Sequence, residues 1–355
     1  MTKVLVLGAG KIGVSIAQVL AESGDYQVTL GEGMPDSPAA GGVGGVEHTV
    51  LDVNDAGALG RALGRVEVVI SALPYFLNVG VAEAAKASRV HYFDLTEDVH
   101  VARRVLALAE GADTVFVPQC GLAPGFISIV ANHLVRGFDQ PEDVRLRVGA
   151  LPQFPDNVLK YNLTWSTEGL INEYCNTCEA IHNGGRRELL PLEGLEHFSL
   201  DGVDYEAFNT SGGIGTLCDT LDGRVHNLNY KTVRYPGHRD MIRMLVRDLK
   251  LCERRDIFKD LIEHGIPVTR QDVVLIFVAV TGRRDGLLTQ ENYVKKIYGD
   301  AQGSGPSAIQ ATTAAGICAM VDLHREGKLP ATGFVRQEDT DLDDFIANRF
   351  GRVYA

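Results

Sequence analysis

The chain has 355 residues, 45% hydrophobic and 23% charged, an ordinary globular balance with length enough for two cores. Its formal charge of −12 excludes the basic face that nucleic acid or an anionic membrane surface would need, and no apolar run approaches a membrane span. Six scattered cysteines read as reduced thiols, and Met1 to Leu7 is too short for a signal peptide, so the expectation is a cytoplasmic protein.

Val4 to Leu7 is apolar and runs into Gly8, Gly10 and Gly13, a G-x-G-x-x-G spacing that opens a helix with Ile12, Ile16 and Leu20 on one face. In a strand-turn-helix of this kind the first glycine makes the turn and the second admits a pyrophosphate. The third lets helix and strand pack closely, and the phosphates rest on the helix start around Lys11 and Ile12. A second strand, Gln27 to Leu30, leads to Glu32, 19 residues beyond Gly13. A carboxylate there suits ribose hydroxyls and repels a 2′-phosphate, which favours NAD over NADP. After a Gly/Pro-rich loop, Gly33 to Gly45, the pattern predicts strands at Val46–Leu51, Glu67–Ala72, Val90–Leu95 and Thr114–Val117. Helices are expected at Ala56–Leu63, Leu77–Ala87 and Val99–Ala109. Six strands with interleaved helices make a Rossmann doubly wound parallel sheet. Its carboxyl edge should carry Gly8, Glu32, Ala72 to Pro74, Asp94 to Glu97 and Gln119 to Gly121.

Beyond Gly125 the pattern changes. A helix over Phe126–Val135 precedes Val144–Leu151, where Val144, Leu146 and Val148 alternate with Arg145 and Arg147, as in a strand with one wet face. Further strands are expected at Phe208–Asp219, Arg224–Arg234, Val273–Thr281 and Tyr293–Ile297, with helices over Thr167–His182 and His238–His264. This is a second α/β domain with a mixed, largely antiparallel sheet. Gly303 to Pro306 breaks the run and starts a helix through His324, with Pro306 in its first turn. The expected domains are 1–125 for nucleotide, 126–303 for substrate and dimerisation, and 304–355 returning to the first.

Three constellations stand outside the glycine loop. Cys120-Gly121-Leu122-Ala123-Pro124-Gly125 follows the sixth strand, as a helix start able to hold a carboxylate or as an interdomain hinge. Tyr161 to Gly169 holds the single tryptophan, Trp165, and Glu168, either a helix-dipole partner or a holder of a substrate ammonium. The following stripe of Ile171, Tyr174, Cys175, Cys178 and Ile181 reads as helix packing; Cys175-x-x-Cys178 with His182 lacks a second cysteine pair, so no metal is expected. Arg234-Tyr235-Pro236-Gly237-His238-Arg239 projects two guanidiniums, a phenol and an imidazole from one corner, suiting a bidentate carboxylate clamp with a general base, although a capping histidine and surface arginines fit the same letters.

VLVLGAGKIG, the D-V-N-D at Asp52–Asp55, S-A-L-P at Ser71–Pro74, CGLAPG, WSTEGLINEY and KTVRYPGH together resemble the saccharopine dehydrogenase-like family, and within it the L-lysine 6-dehydrogenase branch, from Met1 to about Thr313. The resemblance implies an NAD-binding domain, an inserted substrate domain, and an active site between them. It places Asp52 and Val53 against adenine and Ala72, Leu73 and Pro74 against the nicotinamide ribose, with Asp94 and Cys120 on the same edge. Tyr161, Glu168, Tyr174, Arg234, Tyr235, His238 and Thr313 would face the substrate, with Arg239 as a second carboxylate anchor and His238 as the base. The implied reaction is NAD-dependent oxidative deamination of the lysine ε-amine to 2-aminoadipate 6-semialdehyde, by a homodimer or higher homo-oligomer. A reductase joining an amino acid to a carbonyl compound is the alternative within the class, with Arg186-Arg187 or Arg243 for extra carboxylates; a non-catalytic NAD-binding protein is the reading outside it.

Overall fold

The computed structural model describes residues 1–33, 44–300 and 305–355; most of the loop expected at Gly33–Gly45, and Gly303 and Ser304, lie outside the described residues. The chain forms two compact units, Met1–Phe126 with Gln310–Ala355, and Ile127–Ile309.

In the first unit, strands β1 (Thr2–Leu7), β2 (Tyr26–Glu32), β3 (Glu47–Val50), β4 (Val68–Ser71), β5 (His91–Asp94) and β6 (Val115–Val117) alternate with helices α1 (Lys11–Glu22), α2 (Ala56–Leu63), α3 (Asn78–Ser88) and α4 (Val99–Ala109). Val4 to Leu7 and Val69 to Ile70 are at most 1% exposed, as parallel strands covered on both faces must be. Leu5, Leu7, Val69, Val81, Tyr92, Val105 and Phe116 share one core cluster. The order across the sheet is β3-β2-β1-β4-β5-β6, every pair parallel, so connections diverge between β1 and β4. Open α/β sheets bind ligands at that crevice.

The second unit begins within α5 (Phe126–Arg136) and continues through β7 (Gln140–Pro152), α6 (Thr167–Cys175), β8 (Cys178–His182), β9 (Gly185–Leu189), β10 (Glu196–Leu200), β11 (Val203–Asn209), α7 (Leu217–Leu221), β12 (Asn227–Arg234), α8 (His238–Arg243), α9 (Arg255–Gly265), β13 (Asp272–Arg284) and β14 (Leu287–Tyr298). The sheet runs β10-β11-β12-β7-β13-β14, with β8 on β12 and β9 on β8; β7 and β12 are its parallel pair. The chain then returns through α10 (Ala308–Arg325), β15 (Gly333–Phe334) and α11 (Leu342–Ala347), and β15 adds a seventh parallel strand beside β6. Asp322 on α10 fastens this return: it accepts from the Tyr26 hydroxyl at 2.6 Å, Asn348 at 2.9 Å and both Arg325 and Arg349 at 3.0 Å.

Several expectations need correction. The helix expected over Thr167–His182 ends at Cys175, and its second half is a strand, because Asn183 and Gly184 take φ of 51° and 75° and turn the chain into a hairpin. That dissolves the stripe through Cys178 and Ile181. The helix expected over His238–His264 is broken by a π turn at Met244–Asp248 and a 3-10 turn at Leu251–Glu253. Strand β11 stops at Asn209, and the residues expected to extend it lead into α7. Arg147 is 4% exposed, not on a wet face, because β7 is central and Glu196 neutralises the guanidinium. Pro306 precedes α10, whose first N–H groups, on Ala308 and Ile309, go to the Asp272 carboxylate at 2.5 and 3.0 Å. Cys175 and Cys252 are joined as a disulfide, their Cα atoms 5.6 Å apart, so the six cysteines are not all thiols; Cys120, Cys178, Cys218 and Cys318 are free and buried.

Candidate active site

At the β1/β4 divergence two of the three glycines, Gly8 and Gly13, have steric reasons within the protein to lack a side chain. Gly8 has φ +100°, and a Cβ there would meet the Ala72 carbonyl oxygen at 2.8 Å. A Cβ on Gly13 would collide with the Gly8 carbonyl, so α1 packs on the turn only as glycine. A Cβ on Gly10 would meet no protein atom within 4 Å, and no side chain caps α1 there. That combination fits a pyrophosphate laid over the amides of Lys11, Ile12 and Gly13 at the helix start. Glu32 ends β2 and turns one oxygen to the Ala9 N–H at 2.9 Å, which holds its carboxylate beside the loop. Asp52 is exposed and accepts from Asn54, Val53 packs on the core, and Ala72 donates to the Leu7 carbonyl, setting Ala72, Leu73 and Pro74 at the crevice.

Two residues expected to touch the cofactor do not present themselves. Asp94 is fully buried and takes the Tyr92 hydroxyl at 2.7 Å and the Thr96 and Gln119 amides at 2.9 Å; burial pushes its carboxyl up to about 6. It fastens the end of β5 to the loop after β6. Cys120 is equally buried, its thiol donating to the Val117 carbonyl at 3.0 Å, and burial raises its pKa. Both hold the edge in shape and offer it no side chain.

In the second unit, the ends of β12 and α6 and the start of α8 make a buried polar cluster. Ser166 caps α6 through the Gly169 amide, and the helix carries Glu173 and Tyr174 inward. Gly237, at φ +98°, makes the corner after Arg234, and the Glu206 carboxylate takes the Gly237 and Arg239 amides at 2.8 and 2.6 Å, fixing the start of α8. The result sets the Tyr174 hydroxyl 2.9 Å from His238 Nε2 and 3.3 Å from Arg234 Nε. Arg234 also donates to the Val233 carbonyl at 2.9 Å, lies 4.9 Å over the Tyr161 ring, and holds Nη2 3.7 Å from Glu173 Oε2. That last separation is an ion pair without a hydrogen bond, so among the described residues one edge of a desolvated guanidinium lacks a close acceptor. His238 Nδ1 is 2.8 Å from the Leu159 carbonyl. A carbonyl only accepts, so Nδ1 carries the proton and Nε2, in the neutral ring, accepts from Tyr174. Burial, then the Arg234 charge, pushes His238 down to about 3, and burial raises the Tyr174 phenol.

The cluster thus unites Tyr161, Tyr174, Arg234 and His238, and leaves other expected residues apart. Tyr235 points to the opposite face of its strand, donating to the Pro152 carbonyl at 2.8 Å and stacking on Tyr205. Arg239 is occupied by the Leu192 carbonyl, Asp240 and Glu193. Glu168 pairs with Lys259 on α9. Thr313 lies half-buried on α10, in the first unit. The carboxylate beside Arg234 is Glu173, which the sequence reading passed over; its signal is an acidic residue in the otherwise buried last turn of α6.

Residues 4–115 match the saccharopine dehydrogenase NADP binding domain, and residues 121–352 match the saccharopine dehydrogenase C-terminal domain. The mitochondrial alpha-aminoadipic semialdehyde synthase of Bos taurus is 24% identical over 316 residues, which is 84% of this chain and 33% of that protein. The Saccharomyces cerevisiae saccharopine dehydrogenase [NADP(+), L-glutamate-forming] is 25% identical over 188 residues, 51% of this chain and 42% of that one. The chain spans about a third of the length of the synthases it matches. Apo saccharopine dehydrogenase (L-Glu forming) from S. cerevisiae shares the fold at a TM-score of 0.80 with 17% identity, covering 98% of this chain and 97% of its own. The homospermidine synthase of Legionella pneumophila, solved with NAD, does so at 0.70 and 14%, covering 99% and 89%.

Proposed function

Because the chain belongs to the saccharopine dehydrogenase family, we propose that it is a pyridine-nucleotide-dependent oxidoreductase acting on the carbon–nitrogen bond of an amino-acid-derived amine, and specifically that it deaminates the ε-carbon of L-lysine. The first unit binds the nucleotide through Gly8, Gly10 and Gly13, with Glu32 favouring NAD over NADP. When bound, the nicotinamide supplies a hydride acceptor at C4. The second unit holds the amino acid: Arg234 takes the α-carboxylate on its open edge, and Glu173 takes the α-ammonium. Hydride leaves the carbon bearing the ε-amine, the nitrogen lone pair forms the C=N bond, and water then displaces ammonia to leave 2-aminoadipate 6-semialdehyde, which cyclises. A fixed carboxylate anchor supplies orientation, a large contribution available without covalent chemistry.

The observation that carries this reading is the desolvated guanidinium of Arg234, set among two buried tyrosines and one carboxylate, while the other buried arginines, Arg147 and Arg239, are paired with Glu196 and with Glu193 and Asp240. One cation suits a substrate with one carboxylate at that end. The second reading, a saccharopine-type secondary amine, is favoured by the names of the relatives. It would need more cations, and the residues considered for that role are placed otherwise: Arg186 pairs with Asp219, and Arg187 and Arg243 are exposed. The test is nucleotide reduction at 340 nm at mildly alkaline pH with lysine, ornithine, diamines and saccharopine, each with NAD and NADP. Turnover of lysine with NAD supports the reading. Turnover of saccharopine alone replaces it with the second.

A further inference from the structure

The histidine at the centre of this cluster is placed unlike a base. Its ring is 1% exposed and both nitrogens are engaged, Nδ1–H by the Leu159 carbonyl and Nε2 by the Tyr174 hydroxyl. A histidine that takes a proton in catalysis is commonly backed by a carboxylate that stabilises the imidazolium. Here the backing group is a neutral carbonyl. The groups that face the ring are the Tyr174 phenol from α6, the Tyr161 ring 5.4 Å away, the Phe208 ring from β11 stacked at 6.4 Å, and the Arg234 guanidinium from β12. The carboxylates of the cluster are committed elsewhere, Glu206 to the amides of Gly237 and Arg239, and Glu173 to Arg234. Among the described residues the charge that bears on the ring is that of Arg234, and it opposes an imidazolium.

We propose that His238 is a positioning residue and not the base: it fixes the Tyr174 hydroxyl, which accepts from Arg234 Nε and so sets the guanidinium for the substrate carboxylate, and the substrate amine enters already neutral. This rests on the proposed function for the substrate end of the site. The polarity of the chain of bonds is forced. Nε2 has a lone pair and no proton, so the Tyr174 proton points at it and the Tyr174 oxygen is left to receive the Arg234 N–H. Remove the acceptor and the phenol is free to rotate its proton toward the guanidinium, which breaks the support on Arg234. The neutral ring, held far below the usual imidazole range, agrees with the assignment. The free-base fraction of a lysine ε-amine, with a pKa of about 10.4, then rises with pH, and that rise gives the rate its alkaline limb.

His238→Gln and His238→Phe separate the roles, because a glutamine oxygen can accept from Tyr174 and cannot carry a proton, while phenylalanine does neither. The readouts are kcat and KM for lysine from pH 7 to 10.5, and calorimetric affinity for L-norleucine, which has the α-carboxylate and α-ammonium and no ε-amine. NADH fluorescence titration reports whether each variant keeps its nucleotide site. The expected result is that His238→Gln keeps kcat within about threefold with the same alkaline limb. His238→Phe should raise the lysine KM and weaken norleucine about tenfold or more, with kcat at saturation largely kept. A fall in kcat of about a hundredfold in His238→Gln, with the limb flattened, overturns the proposal and makes His238 the base. Equal norleucine affinity in the parent and His238→Phe overturns it too. If the parent turns over no amine, the functional reading fails, while the norleucine comparison still decides the positioning role.

Discussion

Burial of a neutral imidazole beside a guanidinium makes the second unit acid-sensitive, and His238→Gln should remove that sensitivity. In the folded chain burial and Arg234 hold His238 down to about 3, whereas in the unfolded chain it titrates at about 6.5. A depressed folded pKa means that the folded state resists protonation that the unfolded state accepts. The associated stability is whole above about pH 6.5 and falls as pH drops from there towards 3. Two pH units below the unfolded value, at about pH 4.5, the loss is about 2.7 kcal/mol at about 1.36 kcal/mol per unit. The assay is urea unfolding at pH 7.5 and 4.5 followed by the fluorescence of Trp165, the chain's single tryptophan, which packs against the same core cluster as Tyr161 and Tyr174. His324, also pushed down by burial, to about 4, is common to both proteins and cancels in the comparison. Parent and variant should differ in their acid loss by about 2–3 kcal/mol. Equal losses would refute the assignment of a neutral, buried His238.

Glu32→Ala should weaken NAD and relax discrimination against NADP; the ratio of their kcat/KM values checks it, and an unchanged ratio removes Glu32 from cofactor choice. Gly13→Ala should abolish NADH binding by fluorescence titration, because the new Cβ meets the Gly8 carbonyl. Cleaving the Cys175–Cys252 disulfide, or Cys175→Ser, should cost up to about 4.5 kcal/mol by loop-closure entropy for its separation of 77 residues, read as a lower Trp165 unfolding midpoint. Tyr235→Phe should leave the lysine KM within about twofold, since that phenol serves the Pro152 carbonyl on the other face of β12.

The first unit was legible because its signals are local. Apolar runs such as Val4–Leu7 and Val68–Ile70, bounded by glycine or turn signals, read as strands buried on both faces, and Gly13 answers a contact with the Gly8 carbonyl inside the loop itself. The second unit was misread where short-range turn chemistry was given less weight than periodicity. Asn183-Gly184, Asp201-Gly202 and Asp285-Gly286 each take positive φ at both positions and close a hairpin, a signal printed in the letters. Following it would have ended α6 before Cys178 and found β8, β9 and β10. The cluster was half legible. Alternation along an extended chain puts Arg234 and Tyr235 on opposite faces, so reading R-Y-P-G-H-R as one corner overcounted it. That Glu173 and not Glu168 meets Arg234 depends on how α6 sits against β12, and no local pattern encodes that. The Cys175–Cys252 pairing is likewise a tertiary fact, across 77 residues.

The most direct measurement compares L-lysine with cadaverine, which presents the same terminal amine without the carboxylate, in the parent and in Arg234→Met, by NADH formation at 340 nm. The parent should favour lysine by about a hundredfold or more in kcat/KM, the worth of a charge-assisted carboxylate anchor, and Arg234→Met should lose that preference while keeping NADH affinity. Equal use of the two amines by the parent, or an undiminished preference in Arg234→Met, would contradict an amino-acid carboxylate held by Arg234.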